Sequence, residues 1–112
     1  MRLAIHAGML KERVLFEQEV RIADTLGGFQ STWQTFKTHW AYVTFINGSA
    51  LFESDALTSK TTNQLIIRRD DTLNIAMRCV FNAAIYRIEW ITPYAMDARF
   101  SECRISTKGE VL

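Results

Sequence analysis

The chain has 112 residues, is 48% apolar, and carries 13 basic and 12 acidic residues for a formal net charge of +1. That length and apolar content fit a single domain that buries roughly two-thirds of its unfolded surface without disulfide or metal staples. No basic run extends beyond Arg68-Arg69, which Asp70-Asp71 follows at once, and no apolar run approaches the ~20 residues of a membrane span. The pattern speaks against a grip on the nucleic-acid backbone and against a bilayer.

Residues 1–12 read as an N-terminal arm. Leu3, Ile5, Met9 and Leu10 make a short apolar cluster that Gly8 breaks, and Lys11, Glu12 and Arg13 interrupt it too soon for a signal peptide. Residues 13–21 alternate Val14, Phe16, Gln18 and Val20 against Leu15, Glu17, Glu19 and Arg21, a first strand with one mostly charged face that sets Glu17 and Glu19 toward solvent. Residues 23–28 end in Gly27-Gly28, which can supply left-handed backbone for a turn. A second strand then opens near Phe29 to close a long hairpin. Its stretch 33–48, WQTFKTHWAYVTFING, organises the rest of the chain. Phe36, Trp40 and Tyr42 fall on one face and Ala41, Val43 and Phe45 on the other, so one side is buried and the other at least partly covered. Trp40 reads as a core anchor.

Asn47-Gly48 ends that pattern. Residues 47–62 are Ser- and Thr-rich with a few apolar side chains and no clean period of two, which predicts a long loop or a short helix over 50–57. Residues 62–69 give strand three with Leu65 and Ile67 inward, and 70–72 a turn. Strand four is expected over 73–81 with Ile75, Met77 and Cys79 on one side, and strand five over 84–91 after the Asn82-Ala83 break. In strand five Tyr86, Ile88 and Trp90 are not all on the same side as Ile85 and Ile91, so one face needs a second packing surface. Pro93 ends strand five for want of an N–H. Residues 99–106 make a last strand and 107–112 a tail. The expected fold class is mainly all-β: a small antiparallel barrel or tight sandwich of five to six strands.

Chemistry-bearing residues are few. Cys79 and Cys103 lack CxxC spacing and read as two free thiols, buried or half-buried. A zinc site would need both of them with His6 and His39 at irregular spacing. His39 beside Trp40 reads as a surface or rim histidine. A Cys103 nucleophile with His6 or His39 as base would require the fold to bring them together. No GxSxG, HExxH, Walker or GxGxxG motif occurs, and Glu53 and Asp55 lie in the irregular stretch without a preorganised pocket. The residues themselves describe a β-domain with no catalytic set, cofactor or metal.

Four places carry a resemblance. Ala7-Gly8-Met9-Leu10 with Arg13-Val14 is similar to an opening Gly-x-Leu-x-x-Arg, and Gly27-Gly28 with Trp33 and Trp40-Ala41-Tyr42-Val43 to a Gly-rich hairpin before a Trp-Ala strand. Gly48 opens the intervening loop, and Leu65-Ile66-Ile67-Arg68 is similar to a strand ending in arginine. Arg78, the Asn82 turn and Tyr86-Arg87-Ile88 complete the set. Together, over residues 7–106, they resemble the head-closure, or head–tail joining, proteins of long-tailed bacteriophages and phage-derived particles such as gene transfer agents. Two positions depart from the pattern: Ala50 stands where an acid is common, leaving Glu53 the nearest, and Ala83 stands where the turn usually has a second glycine.

The resemblance implies a non-enzymatic barrel present as a six- or twelve-fold homo-oligomeric ring in the particle neck, assembled in the bacterial cytoplasm. Its partners would be the portal or adaptor ring and a tail terminator or tail tube protein. Packaged DNA would be retained, and would pass the channel without sequence-specific contact. The loop residues Gly48, Leu51, Phe52, Glu53 and Leu57 are then the expected partner interface, because apolar side chains in a polar loop gain most when a neighbour covers them. Two other readings compete. An OB- or SH3-like barrel could bind single-stranded nucleic acid on a platform of Trp33, Trp40 and Tyr42. A small enzyme or toxin could use Cys103 or His39.

Overall fold

The structure, a computed structural model, describes residues 5–53 and 56–107, with side chains for 5–46 and 61–107. Leu3 of the expected arm and residues 108–112 of the expected tail lie outside the described residues. A single 3₁₀ turn, Ala7–Met9, precedes six strands: β1 Glu12–Ala23, β2 Phe29–Glu53, β3 Ala56–Arg68, β4 Arg78–Phe81, β5 Ala84–Pro93 and β6 Phe100–Ser106. All pairings are antiparallel, and the order β1-β2-β3-β6-β5-β4 closes on itself as a barrel. Closure removes the edges that a small open sheet would expose.

Alternation fills the interior. Val14, Phe16, Ala41, Leu65, Ile67, Cys79, Ile88, Cys103 and Ile105 form the main core, with Phe36, Val43 and Ile91 packed against it. Register shifts re-aim side chains in three places. Phe36 is the extra residue opposite Phe16/Glu17, which turns it inward and away from the face of Trp40 and Tyr42. Glu89 is the extra residue opposite β6, so Tyr86 and Ile88 share the interior with Ile91 while Trp90 faces out. A third shift, at Ile46, lies where β2 leaves the barrel. Bulges of this kind accommodate the strong bend of a small barrel.

The arm supplies a second packing surface, though not on strand five, whose outward Trp90 ring lies 5.2 Å from the Arg104 guanidinium. Ile5, Leu10, Ile66, Tyr94 and Phe100 form a separate buried cluster on the outer face, with Met9 and Tyr42 against it. Tyr42 is thereby covered, but Trp40, two residues earlier on that face, is 56% exposed. The expectation of Trp40 as a core anchor is therefore wrong: the arm ends its cover at Leu10. Glu17 also departs from expectation. Its carboxylate accepts a 2.7 Å hydrogen bond from Arg78 Nε and its side chain is half-buried, whereas Glu19 is exposed as read.

Two segments differ more widely. Strand four is short, because β3 and β4 are not neighbours and their connection, residues 69–77, must cross one end of the barrel. Leu73 and Met77 plug that end, while Ile75 stays exposed. Asn74 holds the crossing in a turn: its side-chain oxygen accepts the Ala76 N–H and its carbonyl accepts the Met77 N–H. The second segment is 47–62. Instead of a loop or helix it is strand, paired from Asn47↔Thr62 to Glu53↔Ala56. Thr58, Thr61 and Thr62 are β-branched and suit such a ribbon.

Candidate functional site

Strand β2 sets out the functional geometry. Its middle, near residues 36–46, belongs to the barrel wall. Before that, residues 29–34 pair only with β1 residues 18–23, and after it, residues 47–53 pair only with β3 residues 56–62, of which Thr62 alone also meets β6. The chain therefore sends one two-stranded ribbon from each end of the barrel. A radius of gyration of 16.1 Å agrees with this, since a compact chain of this length has about 13 Å.

The β1–β2 ribbon ends in a turn built by Asp24. Its Oδ1 accepts the N–H groups of Leu26 and Gly28, both at 2.9 Å, and Gly27 takes φ +83°. A Cβ on Gly28 would meet Asp24 Oδ2 at 3.1 Å, so both glycines serve this turn, for different reasons. Leu26 is 93% exposed and Phe29 68%. Ile22 on the same ribbon, Ile75 on the crossing segment and Met96 on the β5–β6 turn are also exposed, and antiparallel topology places all five at one end of the barrel. Sequence reading passed over this set; the signal available was Leu26 and Phe29 flanking the Gly-Gly turn with no interior to fill.

The β2–β3 ribbon lies at the other end. It places Gly48 opposite Thr61, Leu51 opposite Thr58, Phe52 opposite Leu57 and Glu53 opposite Ala56. The expected interface residues thus share one ribbon, and their side chains lie outside the described residues. Phe45, at its root, is 64% exposed.

A polar latch closes the crossed end. Asp70 Oδ2 lies 3.0 Å from Lys37 Nζ and 2.9 Å from His39 Nε2, and Asp70 Oδ1 accepts the Thr72 N–H at 3.0 Å. The Asp70 side chain is 8% exposed. Burial opposes its ionisation, but hydrogen bonds from the Thr72 hydroxyl and N–H, then His39 and Lys37, outweigh it and hold the carboxyl well below the usual range. His39 also meets Phe16 edge-on at 5.6 Å. It is a half-buried tie between barrel and crossing segment, not the rim residue expected.

The other chemical expectations do not assemble. Cys79 and Cys103 are buried free thiols inside the barrel. Burial, with a smaller contribution from Cys103, raises the Cys79 thiol far above its ordinary value. Burial and then Glu102 push Cys103 up to about 12. Neither supplies a thiolate near neutral pH. Among the described residues no three His, Cys, Asp or Glu side chains come together to hold a metal ion. The stacking platform is dispersed as well: Arg78 lies 4.4 Å from the Trp33 ring centroid, Tyr42 is under the arm, and only Trp40 is open.

A closed barrel with a plugged end, a two-stranded ribbon from each end and an exposed apolar tip on the β1–β2 ribbon has the form of a module for assembly. The family model described as phage head completion protein matches residues 5–108, and the chain belongs to that family. Its role is structural, in completing the phage head. Among solved structures, a chain of the virion of a native gene transfer agent particle superposes with TM-score 0.72 at 22% identity, covering 88% of this chain and 94% of that one. The solution structure of protein SF1141 from Shigella flexneri 2a gives TM-score 0.66 at 20% identity over 94% of this chain and 97% of that one. No curated protein sequence matches significantly.

Proposed function

We propose that copies of this chain form a closed ring, six- or twelve-fold, in the neck of a phage or phage-like particle. The ring docks on the portal or adaptor, holds packaged DNA in the filled head and receives a tail terminator or tail tube protein, without catalysing a reaction. It is put together in the bacterial cytoplasm before or with the particle. The observation that carries this reading is the course of β2, which leaves both ends of the barrel as two-stranded ribbons with no third strand among the described residues. A ring contact is heterologous and needs two different surfaces on each subunit. Ribbon edges offer unpaired backbone groups, and an exposed apolar side chain, such as Leu26 or Phe29 at the β1–β2 tip, gains roughly 1.5–3 kcal/mol when fully covered. On the β2–β3 ribbon the contact residues are Gly48, Leu51, Phe52, Glu53 and Leu57. The gene transfer agent neighbour belongs to a virion, which supports the placement. A formal charge of +1 suits a ring that lets DNA pass without gripping it.

The test replaces residues 47–60 with a short Gly-Ser linker. The ribbon pairs with itself and closes no part of the barrel wall, so the isolated subunit is expected to melt within a few degrees of the parent. Particles carrying it are expected to lose DNA or fail to join tails. Complementation of a null particle at parental titre contradicts the assignment.

A further inference from the structure

Trp40 is the one tryptophan left open, and its surroundings are selective. It lies on the outer wall between two arginines. Arg13 pairs with it across β1–β2, with the guanidinium 5.6 Å from the ring centroid, and Arg68 follows Ile67, the β3 partner of Ala41. Ala7, Leu10, Thr38, His39, Trp40 and Arg68 line a cleft of about 300 Å³. Beyond Leu10 a second cleft of about 290 Å³ continues along β2, past Met9, Lys11, Glu12, Tyr42 and Val43. The two form an interrupted groove along one strand, the shape an extended segment fits.

The charge in that groove is one-sided. Arg13, Arg68 and Lys11 make no ion pair among the described residues, and Glu12 is the one acid along it. Asp70, close to His39, is already held by Lys37, His39 and Thr72, and Asp71 is paired with Arg69. Small apolar side chains of the arm, Ala7 and Leu10, sit beside the indole. We infer that this groove on the outer wall of β2 binds an extended acidic segment of another protein, which lays an apolar side chain against Trp40 and its carboxylates against Arg13 and Arg68. Trp and Arg are the residue types that dominate binding at such centres, and carboxylate pairs well with guanidinium. A nucleic-acid strand is disfavoured because the apolar arm forms one wall and the whole chain is near neutral. The inference is independent of the ribbons and of ring formation, since it uses neither.

The test is selection from a random short-peptide display library on the folded, full-length protein. Selected peptides are expected to be net acidic with a large apolar residue and to weaken as salt rises. Trp40→Ala and Arg68→Glu, both at exposed positions, are each expected to lose about tenfold or more in affinity while staying folded and melting within several degrees of the parent. Peptides without acidic bias, or equal binding by both variants, overturn the inference. So does displacement by oligothymidylate at lower concentration than the peptide itself, which assigns the groove to nucleic acid. Self-association that Trp40→Ala abolishes assigns it to a second copy and also overturns it.

Discussion

At the scale of single residues, position relative to the barrel wall decides the cost of a change. Phe16 is fully buried, so Phe16→Ala combines lost burial with a cavity and should cost about 3–5 kcal/mol. Trp40→Ala should cost only about 0.5–1 kcal/mol, the value of an exposed cation–π contact with Arg13. Denaturant midpoints of the two variants check this, and equal midpoints contradict the face assignment. The β4–β5 turn makes a second case. Asn82 and Ala83 both take positive φ, 52° and 61°, the two-residue turn that matches strand twist and prefers glycine second. Ala83→Gly relieves left-handed strain and should raise stability by about 0.5–1 kcal/mol in thermal unfolding, once glycine's own entropy is counted. Asp70 supplies the pH dependence. Its carboxyl is depressed in the folded protein, against an unfolded value of about 3.9. The latch therefore adds stability that is fully present above about pH 4 and is lost as pH falls below that toward the folded value. Asp70→Asn should cost about 1–3 kcal/mol at neutral pH, and the gap from the parent should narrow in urea titrations run below pH 4.

At the scale of elements, the sequence was legible where a strand has one face to bury. Val14 and Phe16, Ala41 and Val43, and Leu65 and Ile67 alternate as the structure has them, so the β1–β2 hairpin and the inward faces of β2 and β3 could be read directly, and β6 as a strand. Alternation fails at a bulge, because one extra residue reverses every side chain beyond it. That is why Phe36 sits on the face opposite to the one read from spacing, and why Trp90 parts from Tyr86 and Ile88. Leu73, Ile75 and Met77 imitate a strand, yet the segment crosses the barrel end, since Asp70 and Asn74 satisfy nearby backbone N–H groups with their own side chains. No local pattern announces a crossing that barrel order imposes. The β2–β3 ribbon hid for a different reason. Strand periodicity records a buried face, and residues 47–60 pair with no wall strand that would impose one. The proposed interface residues were picked out by composition, while their strand pairing was missed.

At the scale of the whole molecule, one strand links the surfaces proposed as contacts. Strand β2 runs 25 residues, roots both ribbons, and carries Trp40 on the wall between them. The interior is filled by core side chains, Cys79 and Cys103 among them, and plugged at one end by Leu73 and Met77 of the crossing segment. Image reconstruction of the particle neck tests the claim most directly. It is expected to reveal a closed ring of copies of this chain, with residues 47–60 of each copy covered by the next copy or by the adaptor. A single copy at the vertex, or ribbons standing in solvent around a ring joined only through barrel walls, would contradict it.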